Sequence, residues 1–86
     1  MQTVFIVIWQ KRNIDTNESD FGSFEKVFLD EEDAFDAVKE DAEDQKTNGT
    51  INTNDPMFGE DVGPDYVKLW DSETEYLVLM NGGFID

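Results

Sequence analysis

Asp30–Lys46, DEEDAFDAVKEDAEDQK, decides how the rest of this chain is read. Ala34, Val38 and Ala42 recur at four-residue spacing with Phe35 beside them, the signature of one apolar helical stripe. Asp30 suits an N-cap, and Asp33 stands where a capping-box acid would. Glu31, Glu32 and Asp33 complement the positive end of the helix dipole, and Lys46 the negative end. Asn48-Gly49 is a natural stop. The opposite face carries Glu32, Asp36, Glu40, Glu43 and Asp44, with Asp33 and Asp41 on its flank. The segment holds nine acids and two lysines, a net of −7 and about half of the chain's −15.

Upstream, Val4–Trp9 (VFIVIW) is a β-branched and aromatic run, expected as a central strand buried on both faces. Asn13–Gly22 is turn-rich and reads as a loop. Its Asp15, Asn17 and Ser19 have the spacing that opens a calcium loop, but Asp20 and Lys26 stand where the required Gly and Glu belong. Ser23–Leu29 reads as a second strand, pairing antiparallel with the first and offering Phe24, Val27, Phe28 and Leu29 to the core. Downstream, residues 47–65 are expected as a long irregular loop, stiffened by Pro56 and Pro64, with four acids (Asp55, Glu60, Asp61, Asp65) around Met57, Phe58 and Val62. Tyr66–Trp70 and Glu75–Met80 form a hairpin about Asp71–Thr74, and Phe84-Ile85-Asp86 is a tail that tucks back. The expected fold is α+β, one domain over residues 1–86, in the order β-β-α-β-β. About four antiparallel strands make a sheet, and the acidic amphipathic helix packs on one face. The other face is left with aromatics among Trp9, Trp70 and Tyr76, which favours a dimer or an apolar partner patch.

Composition bounds the function. Twenty-one Asp and Glu stand against six Lys and Arg. Direct nucleic-acid binding and adhesion to anionic membranes both need the reverse balance. Yet seven Phe, two Trp and two Tyr supply a core that a disordered acidic tail lacks. There is no Cys and no His, so thiol and imidazole chemistry are excluded. A paired-carboxylate site would need a cleft for which 86 residues leave little room. No enzyme activity, cofactor or metal site is expected, although the acids of the 55–65 loop are of the hard-oxygen type that binds calcium or magnesium. MQTVFIVIWQ carries no basic leader or small-residue cleavage site, so a cytoplasmic location is expected.

Polyanion mimicry fits this balance. Glu32, Asp36 and Glu40 follow at four-residue steps, about 6 Å apart along a helix axis, and Glu43 and Asp44 extend the row. Like charges at that spacing destabilise a helix by about 0.2–0.5 kcal/mol per pair. Stability alone would not select them. The bland alternative is a solvated helix face or adaptation to high salt. In size, charge and the acidic helix DEEDAFDAVKEDAED, the chain resembles the small acidic DNA-mimic inhibitors of phages and mobile elements, and also the acidic immunity proteins. These classes share no fold. The resemblance implies a host-cytoplasmic inhibitor, a monomer or homodimer, that occupies the basic nucleic-acid-binding surface of a restriction, CRISPR, repair or nucleoid protein. Glu32, Asp36, Glu40, Glu43 and Asp44 would stand in for phosphates, Asp55, Glu60, Asp61 and Asp65 would extend the surface, and Phe58 with Met57 would anchor it. The alternative is an interaction or immunity-type module that binds through the open sheet face or the 47–65 loop.

Overall fold

The computed structural model describes residues 2–85 of the chain, without the side chain of Ile85. The elements run β1 (Gln2–Asn13), β2 (Ser19–Phe28), α1 (Glu31–Thr47), β3 (Gly59–Val62), β4 (Tyr66–Trp70) and β5 (Thr74–Ile85). One antiparallel sheet takes the order β2-β1-β5-β4-β3, with α1 across one face. The α+β reading holds, but the sheet has five strands rather than four. The fifth is β3, four residues inside the stretch expected as a loop. It pairs with β4 from Gly59↔Trp70 to Val62↔Val67.

Alternation along the strands sorts the side chains. Val7 of β1, Val67 and Leu69 of β4, and Tyr76, Val78 and Met80 of β5 face α1. They pack with Phe28 against Ala34, Val38 and Ala42, and Ile51 closes the layer. Val7, Ala34, Val38, Ile51, Leu69 and Val78 are wholly buried. At about 1.5–3 kcal/mol per fully buried large aliphatic side chain, this single layer supplies most of the driving force for folding.

Several expectations change. β1 is not buried on both faces along its length: on the side away from α1, Val4 is buried but Ile6 is 39% exposed. β1 and β2 are longer than expected, and their connection shrinks to residues 14–18. Asn17 takes φ 61° there, and the Asn13 carboxamide caps the amides of Asp15 and Thr16. Val27 and Leu29, expected in the core, are 49% and 63% exposed. Val27 pairs with Ile6 on the face away from α1, because its neighbour Phe28 takes the core side, and Leu29 lies beyond the end of β2. Trp9 and Tyr76 lie under α1, stacked at 6.1 Å between ring centroids, so of the three aromatics expected on the open face Trp70 alone is there. Phe84 continues β5 rather than tucking back; Asp86 lies outside the described residues.

Candidate functional site

α1 forms as its sequence dictates. The Asp30 carboxylate accepts the Glu32 amide at 2.8 Å, and the Asn48 amide closes the last turn on the Asp44 carbonyl. With the apolar stripe fixed against the sheet, Glu32, Asp36, Glu40, Glu43 and Asp44 are all exposed on the outer side. They are not equally free. Lys39 meets Asp36 at 3.4 Å and Lys46 meets Glu43 at 2.6 Å. Among the described residues, Glu32, Glu40 and Asp44 have no cation within ion-pair distance. Asp41, on the flank, turns inward to accept the Tyr76 hydroxyl at 2.6 Å. Burial, reinforced by that carboxylate, pushes the Tyr76 hydroxyl far above its ordinary pKa.

The helix is about 25 Å long at 1.5 Å per residue. A net of −7 over Asp30–Lys46 is therefore about one charge per 3.6 Å, close to the ~3.4 Å per phosphate along one DNA strand. The molecule that carries this row is elongated, 46 × 22 × 19 Å.

The acids of the 55–65 segment do not join the row as one surface. Glu60 does approach it. Lys46 reaches Glu60 at 3.0 Å as well as Glu43, so β3 is tied to the end of α1. These two carboxylates, Glu43 foremost, hold the Lys46 ammonium above its ordinary pKa despite the opposing effect of burial. Asp61 points to the other face of the sheet and accepts the Tyr66 hydroxyl at 2.9 Å, which raises the pKa of that hydroxyl. Asp65 borders the same open face. Asp55 is structural. It accepts the Ser72 hydroxyl and the amides of Met57 and Ser72, and these bonds, the hydroxyl first, depress its pKa. Phe58, expected as a partner anchor, packs against the core instead, while Met57 is 64% exposed. Partners at Ser72, Lys46 and Tyr66 thus separate the carboxylates expected as hard-oxygen donors, and no group of three or more potential ligands that could hold a metal ion occurs among the described residues.

Sequence reading missed two features. Asp71 is the buried polar residue that orders the expected loop. It accepts the amides of Asn52, Glu73 and Thr74 at 2.7–2.8 Å. An Asp opening a tight turn was legible, but its bond to Asn52, nineteen positions away, was not. The second is what lines the open sheet face, a face that was expected but with Trp9, Trp70 or Tyr76 on it. Ile8, Phe21, Leu77 and Leu79 line an apolar groove of about 520 Å³ there, and Arg12, Lys68, Glu75, Asp61 and Asp65 stand around it. Arg12 bonds Glu75 at 2.8 Å.

No protein-family model, curated protein or solved structure matches this chain. No helix among the described residues is long and apolar enough to cross a membrane.

Proposed function

We propose that the protein is a DNA-mimic-type inhibitor whose α1 face occupies the basic nucleic-acid-binding surface of a host protein. The observation that carries this reading is the exposed acidic row on α1, a helix whose net charge per unit length, counted over all its faces, is near that of one DNA strand. Glu32, Glu40 and Asp44 present unpaired carboxylates. Asp36 and Glu43 hold i,i+3 lysine pairs that a partner's arginines would displace. Surface pairs of this kind are worth only about 0–1 kcal/mol, so the exchange costs little. Glu60 lengthens the row at the end of α1, and Asp55 and Phe58 are left out of the contact. Charge accelerates encounter with a basic groove and penalises acidic partners.

The test is competitive. Basic DNA-binding proteins held on a DNA resin should be released by the protein at about 50 mM salt and no longer at about 200 mM, the range over which phosphate-type contacts weaken by orders of magnitude. The triple variant Asp36→Lys, Glu40→Lys, Glu43→Lys should release nothing. Release that persists unchanged at high salt, or with the triple variant, refutes mimicry. The apolar groove on the open sheet face favours a second reading, an interaction module without mimicry. On that reading the triple variant keeps its partner.

A further inference from the structure

We infer that the open sheet face pairs with the same face of a second copy of this chain, in a two-fold dimer that carries its acidic helices on opposite outer surfaces. The argument begins with what the face exposes. Ile8, Leu77 and Leu79 form an apolar centre, and Phe21 and Ile6 beside it are 79% and 39% exposed. An exposed aromatic and aliphatic groove on a chain this small is the surface expected to be covered.

Charge restricts how two copies can meet. With a net of −15, two copies repel one another in almost every orientation. Face-to-face sheet packing is the exception. It places the two sheets about 10 Å apart and each α1 behind its own sheet, so the helix axes are on the order of 30 Å apart. That is several Debye lengths at physiological salt, where the length is about 8 Å. The rim of the open face also carries both signs, Arg12 and Lys68 with Glu75, Asp61 and Asp65. A two-fold contact uses the same patch on both copies, so cations of one copy can meet carboxylates of the other. The outer face of α1, with Lys39 and Lys46 against five exposed acids, is far less balanced.

Area is adequate. The strands, of 12, 10, 4, 5 and 12 residues, tile about 700 Å² of plane at ~3.3 by ~4.8 Å per residue. Side-chain relief raises the accessible surface above that figure. A standard interface buries about 800 Å² per partner.

The inference is independent of the reading of α1, and salt separates the two. Dimerisation of like-charged chains strengthens as salt screens repulsion, whereas binding to a basic partner weakens. Sedimentation equilibrium over a concentration series should show a mass rising from 9.9 kDa to twice that value, with the midpoint moving to lower concentration between about 0.01 and 0.15 M salt. Phe21→Ser removes an exposed side chain without touching the core and should shift the midpoint at least tenfold upward. Leu77→Glu should leave a monomer throughout, its circular dichroism spectrum checking the fold. The triple lysine variant of α1 should dimerise at least as tightly as the parent. A parent mass of 9.9 kDa at every concentration and salt, which would leave the groove to a different partner, overturns the inference. So does a Phe21→Ser dimer as tight as the parent's.

Discussion

Replacing Asp71 should cost more stability than replacing any other charged residue, and the structure sets how the loss divides. Asp71 is 7% exposed. Its Oδ1 accepts the Glu73 and Thr74 amides at 2.8 and 2.7 Å, and its Oδ2 accepts the Asn52 amide at 2.8 Å. The first two bonds shape the turn between β4 and β5. The third fixes the segment leaving α1 and seats Ile51, fully buried next door, in the core. Hydrogen bonds to a charged acceptor contribute about 1.5–3 kcal/mol each when buried. Glu73 is exposed and Thr74 half-buried, so water can replace part of their loss. About 3 kcal/mol is the expected total for Asp71→Ala, against a stability of about 4–13 kcal/mol for a domain this size. Asp71→Asn with its amide oxygen at the Oδ1 position keeps both turn bonds but turns an NH2 toward the Asn52 amide. It should cost about 1–2 kcal/mol, the share of one bond.

Urea unfolding reads both. With a slope of about 1 kcal/mol/M, Asp71→Ala should lower the midpoint by about 3 M and Asp71→Asn by about 1–2 M, with the slope unchanged. Hydrogen exchange gives the division. In Asp71→Asn the Asn52 amide should lose protection while the Glu73 and Thr74 amides keep theirs. The reasoning fails if Asp71→Ala lies within about 0.5 kcal/mol of the parent, or if Asp71→Asn exposes all three amides alike.

The remaining predictions concern the helix, the buried tyrosine and the edge strand. Asp36→Lys turns two like-charged i,i+4 pairs into attractive ones and loses one weak exposed pair with Lys39. It should stabilise the fold by about 0.5–1.5 kcal/mol, seen as a higher Tm, while weakening release of DNA-binding proteins. Tyr76 has a pKa raised by burial and by Asp41, so the folded state keeps a proton that the unfolded chain loses near pH 10. Its contribution is complete below about pH 10 and declines above it; Tyr76→Phe should cost about 1–2 kcal/mol at pH 7 and flatten that alkaline decline, as followed by chemical denaturation at each pH. A Cβ at Gly59 would fall within the Trp70 ring. Gly59→Ala should displace that ring at a cost of about 1–3 kcal/mol, visible as an altered tryptophan emission.

Whether an element was legible in the sequence depended on whether its determinants were local. α1 was readable to within a residue, because its stripe, N-cap and stop all lie within the segment. β3 was not. Gly59-Glu60-Asp61-Val62 has no apolar alternation, and its reasons for being a strand are elsewhere. They are the ladder to β4, the Trp70 ring over Gly59 and the reach of Lys46 to Glu60. Val27 and Leu29 looked like core by residue type alone, but alternation gives the core side to Phe28 and leaves Val27 opposite Ile6 on the other face, and Leu29 falls past the end of β2. The acidic row on α1 was fully visible. Its separation from Asp55, Asp61 and Asp65 was not, since the tertiary partners Ser72 and Tyr66 and the open sheet face decide where those carboxylates go.

That separation bears on what the charge is for. Were −15 only a means of solubility, the acids would need no particular distribution, since a net charge of about 2–8 suffices for a small domain. Asp41, Asp55 and Asp71 do accept structural hydrogen bonds, and Glu60 and Glu75 hold cations that join separate elements. Glu32, Glu40 and Asp44 do neither. They sit at spacings where like charges oppose the helix that displays them. The fold offsets that repulsion by anchoring Ala34, Val38 and Ala42 on the sheet. A row kept against local stability, on the side of the molecule remote from its apolar groove, is what an electrostatic docking face requires. It also leaves the opposite face able to pair without bringing two such rows together.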